Sequence, residues 1–242
     1  AEMDIASAMR EIEPVLAQVK NGDERTLQSL AERFDGVVPD SIRVPQSALT
    51  QALTDLDPEV KGALEEAIAR ITEVHKNQQR HDRRTEVVEG GIVTQKWIPV
   101  DRVGLYVPGG KAVYPSSVLM NVIPAQLAGV KSIAVSSPPQ KDFGGLPHPT
   151  ILAACELLGV KEVLAVGGAQ AIAMFTYGVE GVCDAADMVT GPGNIYVAAA
   201  KRALRGLVGI DSEAGPTEIA IVADHAARPG DIAADLISQA EH

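Results

Sequence analysis

From Arg102 the chain reads Arg102-Val103-Gly104-Leu105-Tyr106-Val107-Pro108-Gly109-Gly110, a short apolar run that stops on a proline and two glycines. Such a run, with no polar alternation, fits a strand buried on both faces. The rhythm of strand, loop and helix then repeats. Candidate strands fall at 103–107, 133–136, 163–166, 188–190, 207–210 and 218–222, and helical spacing at 117–127, 150–158, 170–177, 195–204 and 231–242. This alternation predicts parallel crossovers and therefore an α/β fold, parallel sheet flanked by helices. Glycine or proline punctuates the strand ends, as in Pro108-Gly109-Gly110, Gly167-Gly168 and Gly191-Pro192-Gly193, and such carboxyl-end loops are where open α/β sheets bind ligands. The longest expected loop is 137–149, with four prolines and two glycines.

Before Arg102 the period is helical. Ile5, Ala8, Met9, Ile12, Leu16 and Val19 recur at steps of three and four, and Asn21-Gly22 supplies a stop. A second helix is expected over 24–34, ending at Gly36. Asp57-Pro58-Glu59 offers a cap, a first-turn proline and an acidic first turn, opening a helix to about residue 80 whose buried stripe would be Val60, Leu64, Ala67, Ile68, Ile71 and Val74. Residues 86–88 and 92–97 flank Glu89-Gly90-Gly91 as a hairpin.

Composition narrows the function classes. A net charge of −11 argues against nucleic-acid binding, which needs clustered basic surface to neutralise phosphates. The basic run of Lys76, Arg80, His81, Arg83 and Arg84 has no aromatic neighbours for base stacking and reads as a solvated helix end or a subunit contact. Two cysteines, Cys155 and Cys183, make no disulfide framework, and no uninterrupted apolar run could span a bilayer. The first residues lack the pattern of a secretory signal, so a cytoplasmic protein without a membrane partner is expected. Cys155 has the apolar company of a packed core thiol, and Asp184 beside Cys183 disfavours a thiolate.

No Gly-x-Gly-x-x-Gly follows a strand, and there is no P-loop. Yet three glycine loops each precede a helix, and backbone amides at a helix start can hold a pyrophosphate or carboxylate. Tyr106, Gln170 and Asn194 sit in or beside those loops. The two amides either cap their helices or meet a nucleotide's ribose, phosphate or carboxamide, and spacing alone leaves both readings open. Gln239 and His242 share one helical face and could reach one metal or substrate, although two such ligands do not make a site.

Taken together, the 102–110 stretch, Gly167-Gly168-Ala169-Gln170-Ala171-Ile172-Ala173, Gly191-Pro192-Gly193-Asn194, Ala214-Gly215-Pro216-Thr217-Glu218 and Asp235-Leu236-Ile237-Ser238-Gln239-Ala240-Glu241-His242 closely resemble the histidinol dehydrogenase family. The resemblance is dense from Arg102 onward and looser in the helical N-terminal part. It implies a zinc-dependent, NAD-linked, four-electron oxidation of L-histidinol through the aldehyde to L-histidine, the last step of histidine biosynthesis. By the same resemblance Tyr106, Gln170 and Asn194 contact NAD, Gln239 and His242 bind zinc and border the substrate, and Thr217 contacts the substrate in place of a common Ser. Thr keeps the hydroxyl that such a contact needs.

The implied architecture is two Rossmann-like domains in an intertwined homodimer. Residues 106–216 would form the NAD-binding domain, while 1–105, a helical segment plus hairpin, would belong to the first domain and be completed by 217–242. Family members continue past His242 with a Glu-His acid/base pair and further metal ligands. The resemblance therefore assigns no catalytic residue to these 242, and they are expected to be inactive by themselves. The alternatives are a related dehydrogenase acting on another small alcohol, such as a sulfonated diol, and a non-catalytic nucleotide-binding or assembly module.

Overall fold

A computed structural model describes residues 5–109, 113–213 and 219–240. Helix α1 (Ile5–Lys20) buries Ala8, Ile12, Val15, Leu16 and Val19, the stripe that three- and four-residue spacing selects. Helix α2 (Glu24–Asp35) opens on a reciprocal cap, with Asp23 accepting from Thr26 N at 3.0 Å and Thr26 Oγ1 accepting from Asp23 N at 3.3 Å, and it ends at Gly36. Helix α3 (Gln46–Thr54), which no periodicity announces, buries only Leu49 and Ala52.

Helix α4 (Pro58–Lys76) starts where Asp57 accepts from Glu59 N at 2.7 Å. It stops four residues earlier than expected, because Gln78 N turns back to His75 O and Asn77 Nδ2 donates to Glu73 O. Its buried stripe is also narrower: Leu64 is buried, whereas Val60 and Val74 at the two ends are exposed. The hairpin of β1 (Arg83–Val88) and β2 (Gly91–Gln95) turns at Glu89-Gly90 and is exposed along nearly its whole length.

From Arg102 the expected alternation is present: β3 (Arg102–Tyr106), α5 (Pro115–Ala128), β4 (Ser132–Ser137), α6 (Pro149–Leu157), β5 (Glu162–Ala165), α7 (Gly168–Tyr177), β6 (Met188–Thr190), α8 (Ile195–Leu204) and β7 (Gly209–Ile210), followed by α9 (Pro229–Ala240). The five strands pair in parallel in the order β5-β4-β3-β6-β7. Counted from β3, this is the 3-2-1-4-5 order of a doubly wound dinucleotide-binding sheet. One face is covered by α1, α7 and α8, the other by α3, α4, α5 and α6, and each face has its own apolar core.

Two expected strands differ. The 207–210 strand is confined to Gly209–Ile210, because Gly206 takes φ +97° and Leu207 N bonds back to Leu204 O, keeping the chain in a turn. Within 218–222 the described residues, 219–222, form no strand, and Val222 is fully exposed, so no sheet neighbour covers it. Among the described residues no helix is long and apolar enough to cross a membrane.

The amino ends of β3 and β5 are tied by a shielded ion pair. Arg102 grips both carboxylate oxygens of Glu162, at 2.6 and 3.0 Å, and also donates to Ser132 Oγ and Asp184 O. Arg102 also donates to Cys183 Sγ at 3.4 Å. Burial pushes the Cys183 thiol up to about 11 even though this guanidinium opposes the shift, and burial raises Cys155 further. Both thiols are therefore inert packing groups at neutral pH. This end of the sheet holds the fold, and ligand chemistry belongs to the other.

Candidate functional site

In the observed order, strand succession reverses between β3 and β6, which places the crevice of a doubly wound sheet at their carboxyl ends. A cavity of about 1090 Å³ opens there. Its walls come from four carboxyl-end loops, through Tyr106 and Gly109, Pro138 to Asp142, Gly168 to Gln170, and Asn194. The remaining wall comes from α1 and α2, through Glu11, Ile12 and Val15 and through Arg33, Phe34 and Asp35. Tyr196 OH donates to Glu11 Oε2 at 3.1 Å across the rim. The volume suits a cofactor-sized ligand.

Tyr106, Gln170 and Asn194, far apart in sequence, thus line one cavity. Tyr106 is the last residue of β3 and is almost wholly buried; its hydroxyl accepts from Gly168 N at 3.1 Å, at the first turn of α7. Burial, with the Asp35 charge adding to it, pushes the phenol up to about 12, although the Gly168 bond opposes the shift. The phenol stays neutral and keeps a proton to donate. Gln170 is 4% exposed and does not cap α7, whose start has no side-chain cap. Asn194 does cap: its Oδ1 accepts from Tyr196 N at 3.0 Å and Val197 N at 3.1 Å. Both readings of Asn194 are compatible, since the committed atom is Oδ1 and the amide can still offer a ligand its Nδ2 hydrogens.

The loop carrying Asn194 is clamped from beneath. Lys201, on α8, is wholly buried; its ammonium donates to Gly191 O, to Asp211 Oδ1 at 2.6 Å and to Ser212 O at 3.3 Å. Asp211 Oδ2 accepts from Gly191 N at 2.9 Å, so one ion pair holds both polar groups of Gly191. Gly191 itself has φ +115°, and a Cβ there would lie 2.0 Å from Tyr106 O. No other residue fits, and the contact locks the β6 loop against the end of β3.

Sequence reasoning missed both Lys201 with Asp211 and the carboxyl group of Asp35. Each leaves a sequence signal. Lys201 directly follows Val197-Ala198-Ala199-Ala200, a cation placed on the apolar run of its helix ahead of the exposed Arg202. Asp35 is the last residue of α2, where a carboxylate opposes the helix dipole. Burial pushes Asp35 up to about 6.

Of the expected substrate and zinc contacts, Gln239 falls within α9, while Thr217 and His242 lie outside the described residues. Among the described residues no group of three or more His, Cys, Asp and Glu side chains could hold a metal. Those residues fit a dinucleotide cavity, with a parallel sheet, a helix start and unpartnered polar groups, and do not by themselves fit a zinc site.

The family model described as histidinol dehydrogenase matches residues 1–242. A histidinol dehydrogenase of Thermobifida fusca (strain YX) is 66% identical over 242 residues, covering 100% of this chain and 55% of that protein. One from Streptomyces avermitilis is 61% identical, again over 100% of this chain and 55% of that protein. The crystal structure of histidinol dehydrogenase from Elizabethkingia anophelis superposes with a TM-score of 0.90 at 37% identity, covering 100% of this chain and 55% of that one. The chain thus spans about half the length of the relatives it matches.

Proposed function

Because the chain belongs to the histidinol dehydrogenase family, we propose that its cavity holds NAD and that the whole protein oxidises L-histidinol to L-histidine through histidinal, with zinc, as the last step of histidine biosynthesis. The observation that carries the cofactor part is the convergence of Tyr106, Gln170 and Asn194 on one cavity at the reversal point of a parallel sheet. Bound NAD would supply the hydride acceptor. Tyr106 orients it through a neutral hydroxyl that donates, Gln170 through an amide that both donates and accepts, and Asn194 through Nδ2. At the start of α7 the Gly168 N–H is taken by Tyr106, and the helix's positive end with Ala169 at the cavity wall favours an anionic group such as a pyrophosphate.

The same reading assigns residues 106–216 to the NAD-binding domain and 1–105 with 217–242 to part of another, places Thr217, Gln239 and His242 at substrate, and gives zinc Gln239 and His242. A cytoplasmic homodimer belongs to it too. That assembly is supported by Val87, Val88, Val93, Trp97 and Ile98, apolar side chains on and just after the hairpin that the chain leaves exposed.

The test follows NADH absorbance with L-histidinol as substrate. The protein continued to the length of its relatives should release two NADH per histidinol, and the 242-residue chain alone none. A sulfonated diol oxidised in preference to histidinol would move the protein to another substrate. Absence of any NAD reduction by the longer protein would overturn the reading.

A further inference from the structure

Among the described residues three buried side-chain polar atoms lack a hydrogen-bond partner: Asp35 Oδ2, Ser137 Oγ and Gln140 Nε2. Asp35 and Gln140 line one wall of the cavity, and Ser137, wholly buried, lies beside Gln140 just behind it. A Cβ placed on Gly109 would lie 3.3 Å from Ser137 Oγ, 3.5 Å from Gln140 Nε2 and 3.1 Å from Pro138. A Cβ placed on Gly167 would lie 2.9 Å from the other side of Pro138 and 3.3 Å from Asp35 Oδ1. The unpartnered groups therefore flank the Pro138 ring, and Asp35, Pro138 and Gln140 line the cavity. Orphaned buried polar atoms are rare because each carries an uncompensated desolvation cost, so two of them in the cavity wall and a third directly behind it point to a ligand that pairs with them.

Their chemistry selects that ligand. A carboxylate oxygen needs a donor, an amide nitrogen needs an acceptor, and a serine hydroxyl takes either. A phosphate would satisfy Gln140 and Ser137 but repel Asp35, whereas an ammonium would satisfy Asp35 and leave Gln140 unpaired. A hydroxyl donates and accepts at once, and a vicinal diol does so twice. The position agrees. Ser137 is the last residue of β4, the second strand of the 3-2-1-4-5 order, and the carboxyl end of that strand is where a doubly wound sheet reads the cofactor's ribose, usually through an acidic residue of its own. Here that strand ends in an uncharged serine, and the buried carboxylate arrives from α2.

We propose that Asp35, Ser137 and Gln140 bind the ribose hydroxyls of the dinucleotide and that Asp35 selects against a cofactor phosphorylated on that ribose. This rests on the cavity holding NAD. A 2′-phosphate would place negative charge against a shielded carboxylate while removing the hydroxyl proton that the carboxylate accepts.

Calorimetric titration with NAD and, separately, NADP tests it on the wild-type chain and on Asp35→Asn, Gln140→Leu and Ser137→Ala. Wild type should bind NAD and bind NADP at least about 100-fold more weakly. Gln140→Leu and Ser137→Ala should each weaken NAD by about 10-fold. Asp35→Asn, nearly isosteric, should narrow the gap between NAD and NADP by about 10-fold or more, and its melting temperature without ligand should rise, because the uncompensated charge is gone. If wild type binds NAD while all three variants keep its affinity and its preference, the ribose assignment is overturned and the cofactor cavity stands. If wild type binds no NAD, both fall.

Discussion

Lys201→Met removes an ammonium that is wholly buried and makes bonds to Asp211 Oδ1 at 2.6 Å, to Gly191 O and to Ser212 O. Methionine fills nearly the same volume, so lost packing is a minor part of the effect. The larger part is what stays behind: an Asp211 carboxylate without its counter-charge and a Gly191 carbonyl without its donor. Breaking a fully buried pair from one side costs about 3–5 kcal/mol. The Asp211 side chain is 32% exposed, so water recovers part of that, and a loss of about 3 kcal/mol is expected. For a chain of this size this corresponds to a fall in melting temperature of about 6–12 °C, readable by calorimetry or circular dichroism. Asp211→Asn keeps an acceptor for Gly191 N. The double variant Lys201→Met/Asp211→Asn should therefore regain a kcal/mol or more over the sum of the single losses. A fall of less than about 2 °C for Lys201→Met, or strict additivity in the double variant, would show that the clamp does not hold the loop.

Burial disfavours the Asp35 charge and pushes the carboxyl up to about 6, so the fold binds this proton more tightly than the unfolded chain. Its contribution is favourable below about pH 4 and is lost as pH rises to about 6. Asp35→Asn should consequently exceed wild type by about 1–2 kcal/mol at pH 8, after discounting for partial solvent access, and the gap in urea midpoints should close toward pH 4. An unchanging gap across that range would refute the assignment. Gly191→Ala places a methyl against Tyr106 O in a backbone conformation that alanine resists; the chain should lose several kcal/mol or fail to accumulate in soluble form, and near-wild-type melting would contradict the contact. Cys155 and Cys183, both buried with raised thiol pKa values, should react with a thiol reagent only after denaturant is added, and fast labelling of either in the native chain would contradict their placement.

The sheet was legible because its strands are buried on both faces and broken by glycine and proline, so 103–107 and 188–190 stand out as apolar runs. Strand order was not, since partners such as Val103 and Met188 pair across 85 residues of sequence and periodicity carries no information about them. Helix α3 escaped because Gln46-Ser47-Ala48-Leu49-Thr50-Gln51-Ala52-Leu53-Thr54 is short and polar and buries two side chains against α6, too few to set a period. At the site, the glycine loops marked the right ends of the strands, and Tyr106, Gln170 and Asn194 were visible as polar groups a turn does not require. Asp35 showed an unfavourable place at a helix end but not its site, for a physical reason: α2 precedes the sheet by more than sixty residues, and only packing brings its last turn to the carboxyl ends of β3 and β4.

The most direct test of the cofactor cavity is NAD binding by the 242-residue chain, with Gln170→Leu and Tyr106→Phe in parallel. One NAD per chain should bind, and each variant should weaken it by about 10-fold or more while remaining folded by circular dichroism. No NAD binding by wild type, or equal affinity in all three proteins, would contradict the account.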